Sequence, residues 1–423
     1  MKRPFGVTAA LLVLTLAAAV RLPAQSYRTF REDYEGIKAR ARLRLGPLRL
    51  QPVFRLTEAG FDSNVYYRAD GGDEVVSDFT ATLAPELRAH WLLGGSVILS
   101  ATESPEYLLY AREKGLRAFS NGFSGGLRMM LLRYFSLSAE YHDASHVRRS
   151  MSELDRRIRD TATGGTAGFF FETARGTAFG VTAAVDDFRY EDVASGAPDD
   201  VYARTLDRRE TSAAAEIYYR VFSRSYLFAT AGWARYAFDF AESAWRDGEA
   251  VKAAGGFRFP LTGRARGRIL FGWKSFRPDS SGRRPFSGLI AATEVYLRLG
   301  RLAATVGYDR DNAFSYNESA YYYVDARARA GLSLYVAPFL RIDGGVQYGT
   351  MTYPEPQTVW SGGAPVTVDR REDVQRTWSV GPVLRIGGTV GLGLTYNLYR
   401  RTSNAPGFDV RRNFAGAFLT YEF

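Results

Sequence analysis

The chain has 423 residues, 46% hydrophobic and 14% aromatic, with 42 glycines, no cysteine and a formal net charge of +10. Without cysteine there is no disulfide, no thiolate metal site and no lipidated N-terminal Cys. No Pro/Ser-rich linker or charge block divides it, so one large unit fits better than two or three soluble domains.

The chain starts with Lys2 and Arg3, then an apolar run over residues 5–20, then small Ala24 where a signal peptidase would cut. Residues 1–24 are therefore expected to be a cleaved signal peptide, the run being short for a membrane span. After Val20 no apolar stretch is long enough for a transmembrane helix. Two classes remain: a secreted all-β protein and an outer-membrane barrel. Residues 25–46 read as a periplasmic N-terminal segment. Its part 26–38 is a polar tether or short helix. In residues 39–46, Arg40, Arg42 and Arg44 alternate with Ala and Leu, which either extends the first strand or puts a cationic segment near a barrel mouth.

From residue 47 to 423 alternation dominates. In a strand successive side chains point to opposite faces. Phe79, Ala81, Leu83, Pro85 and Leu87 oppose Asp78, Thr80, Thr82, Glu86, Arg88 and His90. Residues 322–335 set Val324, Ala326, Ala328, Ala330, Leu332 and Leu334 against Asp325, Arg327, Arg329, Gly331 and Ser333. Leu340, Ile342, Val346 and Tyr348 oppose Arg341, Asp343, Gly345, Gln347 and Gly349. Val390, Leu392, Leu394, Tyr396 and Leu398 do the same against Gly391, Gly393, Thr395 and Asn397. Residues 177–190 and 227–240 keep no clean register, which signals bulges or displaced boundaries.

Punctuation is regular too. Tight-turn signals stand at Gly94-Gly95, Arg133-Tyr134, Arg175-Gly176, residues 223–225, Thr262-Gly263, Gly300-Arg301, Ala337-Pro338 and Gly387-Gly388. Longer polar stretches lie between them, as at 66–74, 145–157, 191–200, 277–285 and 353–373. Eight tight turns and nine longer loops predict an all-β, antiparallel transmembrane barrel of about eighteen strands, with sixteen as the alternative. Short turns and both termini belong to the periplasmic side. A soluble sandwich also alternates, but its inner face should hold large residues. Here the apolar face is rich in Ala and Val, and Trp91, Trp273 and Trp378 fall where interfacial girdles are expected.

The last strand places Ala415, Ala417, Leu419, Tyr421 and Phe423 on one face. Leu419, Tyr421 and Phe423 resemble the C-terminal signature read by the barrel-assembly machinery. Residues 46–68 resemble the first strand and loop of a family of outer-membrane β-barrel porins that includes exopolysaccharide-associated barrels. Phe61, Asp62, Asn64, Val65 and Tyr66 match its aromatic-Asp-x-Asn-aliphatic-aromatic pattern. The resemblance implies a channel in the outer membrane of a Gram-negative-type bacterium, set in lipid and lipopolysaccharide.

If the apolar positions face lipid, the opposite ones line the lumen. Arg264, Arg266 and Arg268 then share one strand, with Lys252 and Arg258 on the arm before it and Lys274 further along. Arg298, Arg327, Arg329, Arg341 and Arg385 form a second group, tempered by Glu294, Asp325 and Asp343. Such ladders favour anions, small or in the form of an acidic polysaccharide. The plainer reading is Arg filling a hydrated interior through salt bridges. Asp62, Asn64, Asp70 and Asp73 offer hard oxygen ligands for Ca²⁺, yet the run lacks the EF-hand spacing and reads more readily as a solvated loop. His142 and His146 sit too far apart on a strand to share one ion. No phosphate loop, dinucleotide fingerprint or nucleophile–base pair appears, so neither enzyme nor cofactor nor nucleic-acid partner is expected.

The expectation is a porin-like channel passing small, anionic solutes by passive diffusion. The alternatives are a dedicated exopolysaccharide-export barrel and a plugged barrel whose loops bind partners.

Overall fold

The computed structural model describes residues 28–423 apart from 71–73, 150–152, 154–156, 174, 193–203, 223–224, 263, 318 and 362–363. The expected signal peptide lies outside the described residues.

Eighteen strands form a closed antiparallel barrel. β1 runs Leu48–Asp62. β2 has two runs, Asp78–Leu83 and Glu86–Leu93, and β3 likewise, Val97–Glu103 and Glu106–Tyr110. β2 breaks at Pro85, which has no N–H to give a neighbour. Then follow β4 Ala118–Leu131, β5 Phe135–Arg148, β6 Ile158–Glu172, β7 Ala178–Asp192, β8 Arg208–Phe222 and β9 Ser225–Phe238. The second half holds β10 Gly248–Thr262, β11 Ala265–Pro278, β12 Phe286–Leu299, β13 Leu302–Phe314 and β14 Tyr322–Ala337. β15 Leu340–Thr352, β16 Glu372–Ile386, β17 Val390–Ser403 and β18 Val410–Glu422 complete it.

Each strand pairs with its sequence neighbours, and β18 returns to β1, from Val53↔Glu422 to Asp62↔Phe414. Closure leaves no open edge in the hydrocarbon layer, where unpaired N–H and C=O groups are costly. Gly94, Gly95, Gly387 and Gly388 adopt positive φ at two of the tight turns, a conformation a Cβ disfavours. The longer connections gather at the opposite end, and one holds a hairpin, Gln357–Ser361 with Ala364–Val368.

Alternation sorts the wall. Val251, Phe271, Trp273, Leu332, Leu334, Val346, Trp378 and Leu394 are exposed on the outside. Opposite parity carries the polar and charged side chains. The segments over 177–190 and 227–240 depart from the bulge expectation: β7 pairs with β6 from Ala178↔Glu172 to Asp192↔Ile158 without a shift, and β9 with β10 likewise. Their pattern is blurred because the inward face itself is aromatic, with Tyr226, Phe228, Tyr236 and Phe238 buried. Register shifts lie elsewhere, at Leu56/Ala59, Arg220/Phe222, Pro260/Thr262 and Tyr335/Ala337.

Two plugs of structure stand at the ends. Helix α1 (Phe30–Arg40) starts at a capping box in which the Thr29 side chain accepts from Glu32 N–H and the Glu32 carboxylate accepts from Thr29 N–H. Its Phe30 and Ile37 pack with the inward side chains Leu92 and Ile98 of β2 and β3, at the tight-turn end. At the other end, Tyr236, Phe238, Phe276, Phe286 and Phe314 gather around loop residues Leu206, Tyr321 and Trp245. Phe276 and Tyr321 are stacked with centroids 5.1 Å apart.

Candidate functional site

The functional surface of a barrel is its inner wall, and the register fixes which basic residues share it. Lys252 stands directly opposite Lys274, and Arg258 opposite Arg268. Arg266 faces Tyr296 and Arg268 faces Glu294 on β12. Arg327 is opposite Asp309, and Arg341 opposite Tyr335. The basic positions read from the sequence thus fall on the inner parity of β10, β11, β12, β14, β15 and β16.

Their surroundings divide them. The inward cations of β14 and β15, and Lys274 of β11, each meet a carboxylate. Lys274 Nζ lies 3.0 Å from Asp311, Arg327 is 2.5 Å from Asp325, and Arg341 is 2.9 Å from Asp343. Arg329 pairs with Asp309. Arg327 and Arg341 use the i, i±2 spacing that puts neighbours on one face of a strand.

On β10 to β12 the guanidiniums lie over rings instead. Arg258 is 5.5 Å from the Tyr226 centroid, Arg268 5.1 Å from Phe228, Arg266 4.7 Å from Tyr296, and Arg298 4.5 Å from Tyr335. Among the described residues no carboxylate lies within ion-pairing distance of Lys252, Arg258, Arg266, Arg298 or Arg385. Stacking holds a guanidinium in place and leaves its charge in the field of the lumen. Arg298 and Arg385 also cap carbonyls of their own turns, Gly300 and Gly388. Arg264 is exposed at the periplasmic end of the same patch.

α1 borders this patch. Its first turn is acidic, with Glu32 and Asp33. The Tyr226 hydroxyl donates to Glu32 Oε1 at 3.2 Å, so the ring under Arg258 is also a ligand of the helix. Phe30 N–H donates to the Glu172 carboxylate at 3.2 Å, an anion at the positive end of the helix dipole. Asp33 pairs with Arg128 on β4 and lies 3.8 Å from Arg28. Burial still holds the Asp33 carboxyl above its ordinary range, outweighing those two cations. Beyond the helix, Arg42 donates to the Glu422 carbonyl at 2.8 Å, so the segment crosses the mouth from β6 and β9 to β18. Residues 43–45 pair antiparallel with Leu48–Leu50 across the turn at Gly46-Pro47, so they lie beside the first strand and do not extend it, and Arg42 lies at the mouth. Polar residues 26–38 gave no signal of this docking, because its partners lie far away in sequence.

The proposed metal ligands are occupied otherwise. Asp62 accepts from Arg412 at 2.7 and 2.9 Å, and Asn64 donates to the carbonyls of Arg68 and Arg411. Asp70 pairs with Arg411 at 2.9 Å, and Asp73 lies outside the described residues. Among the described residues no group of three acidic or His side chains converges on a metal-sized site. His142 pairs with Asp186 across the inner wall at 3.2 Å. Leu419 and Tyr421 lie on the outward parity of β18, opposite Leu392 and Val390, with the Phe423 ring 4.4 Å from that of Tyr421.

A family model described as "Putative beta-barrel porin 2" matches residues 43–423. No curated protein matches the chain in sequence. Among solved structures, OpdO of Pseudomonas aeruginosa is similar at 14% identity and a TM-score of 0.50, over 88% of this chain and 97% of that one. A BenF-like porin of Pseudomonas fluorescens Pf-5 is similar at 14% identity and a TM-score of 0.49, over 90% and 99%. The outer membrane protein OpdK of Pseudomonas aeruginosa shares 12% identity at a TM-score of 0.48, over 90% and 100%. At such identity the likeness to OpdO concerns the fold alone.

Proposed function

The chain belongs to the family described as putative beta-barrel porin 2, and from that premise we propose a passive channel selective for small anionic solutes. It is a porin-like barrel of the Gram-negative outer membrane. One observation carries the finer reading: Arg258, Arg266 and Arg298 line the periplasmic half of the lumen on rings, with no carboxylate in ion-pairing contact among the described residues, the nearest acid to Arg258 being Glu32 of α1. A row of fixed cations on a water-lined wall lowers the energy of an anion there and raises that of a cation. The path needs no chemical step, so the reading is transport and not catalysis.

α1 favours a second, narrower version, a channel restricted at the periplasmic mouth. Its acidic first turn sits among Arg128, Arg258 and the Glu172 carboxylate, so it covers part of the basic patch while docked. Leu419, Tyr421 and Phe423 serve insertion by the assembly machinery in this reading and take no part in selection.

The test is a planar bilayer with a salt gradient. A reversal potential of the sign for anion preference supports the proposal. Cation preference or zero selectivity in an open channel contradicts it.

A further inference from the structure

The outer wall carries charge as well, and on one side three arginines share a single row across neighbouring strands. On β16, β17 and β18 the register puts Arg376 directly opposite Arg400, and Arg400 directly opposite Arg411. All three are on the outward parity, with Trp378, Leu398 and Tyr396 exposed beside them. Directly opposite side chains have Cβ atoms about 4.5–5.5 Å apart, and like charges so placed repel. Arg411 reaches Asp70, and Arg376 lies 5.9 Å over the Tyr348 ring. Among the described residues neither Arg376 nor Arg400 has an acidic partner. Glu372 and Asp409 stand further out on the same strands, and Asp409 accepts from Ser403 N–H.

The height of the row can be read from the pairing. Ile386, Val390 and Tyr421 form the corresponding row at the periplasmic end, and each is ten residues from its arginine. Ten residues span about 33 Å along a strand, and a tilt of about 40° reduces this to about 25 Å across the membrane. That is the height of the apolar band of an outer-membrane barrel, so the row lies at the outer-leaflet headgroups.

Below the row on the same strands lies a groove of about 760 Å³, open to the lipid side. Small Ala59, Ala415 and Ala417 form its floor, and Phe61, Leu394 and Tyr396 rise around it. It begins about four residues under the arginines, about 13 Å along the strand.

We propose that Arg376, Arg400 and Arg411 bind the phosphates of a phosphorylated, multiply acylated glycolipid of the outer leaflet, with acyl chain seated in the groove. Guanidiniums match phosphate bidentately, and phosphate turns the repulsion within the row into attraction. Acyl chain over small side chains fills a concavity that lipid would otherwise bridge poorly.

The purified barrel, in detergent, is titrated with bis-phosphorylated lipid A while its thermal midpoint is followed. Dephosphorylated lipid A and phosphatidylglycerol serve as comparison probes. Bis-phosphorylated lipid A is expected to raise the wild-type midpoint saturably, and more than either comparison. In R376Q/R400Q/R411Q the apparent affinity should fall about tenfold or more, as the loss of charge-assisted contacts predicts. Without lipid the same variant should melt no lower than wild type, since repulsion is relieved, so the order of stabilities reverses when lipid A is added. Ala417→Trp should weaken binding with the arginines intact. R209Q/R235Q, on the far wall, should bind as wild type does. Equal stabilisation of the triple variant, equal effect of dephosphorylated lipid A, or equal loss in R209Q/R235Q would overturn the proposal.

Discussion

The same residue type lines two neighbouring stretches of the inner wall and behaves differently on each. On β14 and β15, Arg327, Arg329 and Arg341 each face an aspartate of their own or the adjoining strand. On β10 to β12, Arg258, Arg266 and Arg298 rest on Tyr226, Tyr296 and Tyr335. A paired arginine contributes little field at a distance and mainly fixes packing. A stacked one is held as firmly by the ring but keeps its charge available to a passing ion. The outer wall repeats the contrast at headgroup height. Arg235, Glu249 and Arg277 alternate in sign across β9 to β11, and Arg209 meets Asp187, whereas the row across β16 to β18 is Arg376, Arg400 and Arg411, of which Arg411 meets Asp70. Neutralised walls serve the fold, and unneutralised ones wait for something outside the chain.

Breaking this contrast should give graded effects. Deleting residues 28–41 uncovers the stacked wall and leaves the paired one untouched. Single-channel conductance is expected to rise roughly twofold or more, because conductance follows the open cross-section. An unchanged conductance would mean that α1 does not restrict the path. Next in size, D309N/D325N removes the carboxylates that Arg329 and Arg327 face. It should cost about 1–3 kcal/mol of stability in detergent denaturation, the range for losing charge-assisted hydrogen bonds at partly buried cations. It should also shift the reversal potential further toward anions. A variant as stable as wild type would show that these pairs are solvated and structurally idle.

The smallest effect is on pH. Because burial raises the Asp33 carboxyl above its ordinary range, docked α1 favours the protonated acid. Docking therefore strengthens as pH falls through that raised value and loses this contribution as pH rises above it. Acidifying the periplasmic side from neutral should lower the open fraction slightly, and Asp33→Asn should remove that dependence. An open fraction that rises with acid would contradict the assignment.

Much of the barrel was legible in the sequence because its determinants are local. Gly94-Gly95 and Gly387-Gly388 mark turns by their own backbone freedom, and Leu340 to Gly349 sort themselves by parity alone. The i, i+2 pairing of Arg327 with Asp325 was equally local, which is why a salt-bridged interior competed with a selective one from the start. Where the inward face is aromatic, as at Tyr226 to Phe238, parity no longer separates the faces and the register could not be read. The seat of α1 depends on Glu172, which is 142 residues from Phe30, and nothing in residues 26–38 points to it. Outer loops fold inward on rings such as Trp245 and Tyr321, with buried Glu153 and Glu355 accepting from Tyr316 and Tyr321 N–H, a feature no loop motif announces.

Selectivity by the stacked wall is tested most directly by R258Q/R266Q/R298Q in a planar bilayer with a salt gradient. Wild type should show anion preference, and the variant should lose most of its reversal potential while its conductance and heat-modifiable mobility persist. A variant that keeps the wild-type reversal potential would contradict the assignment of selectivity to these three arginines.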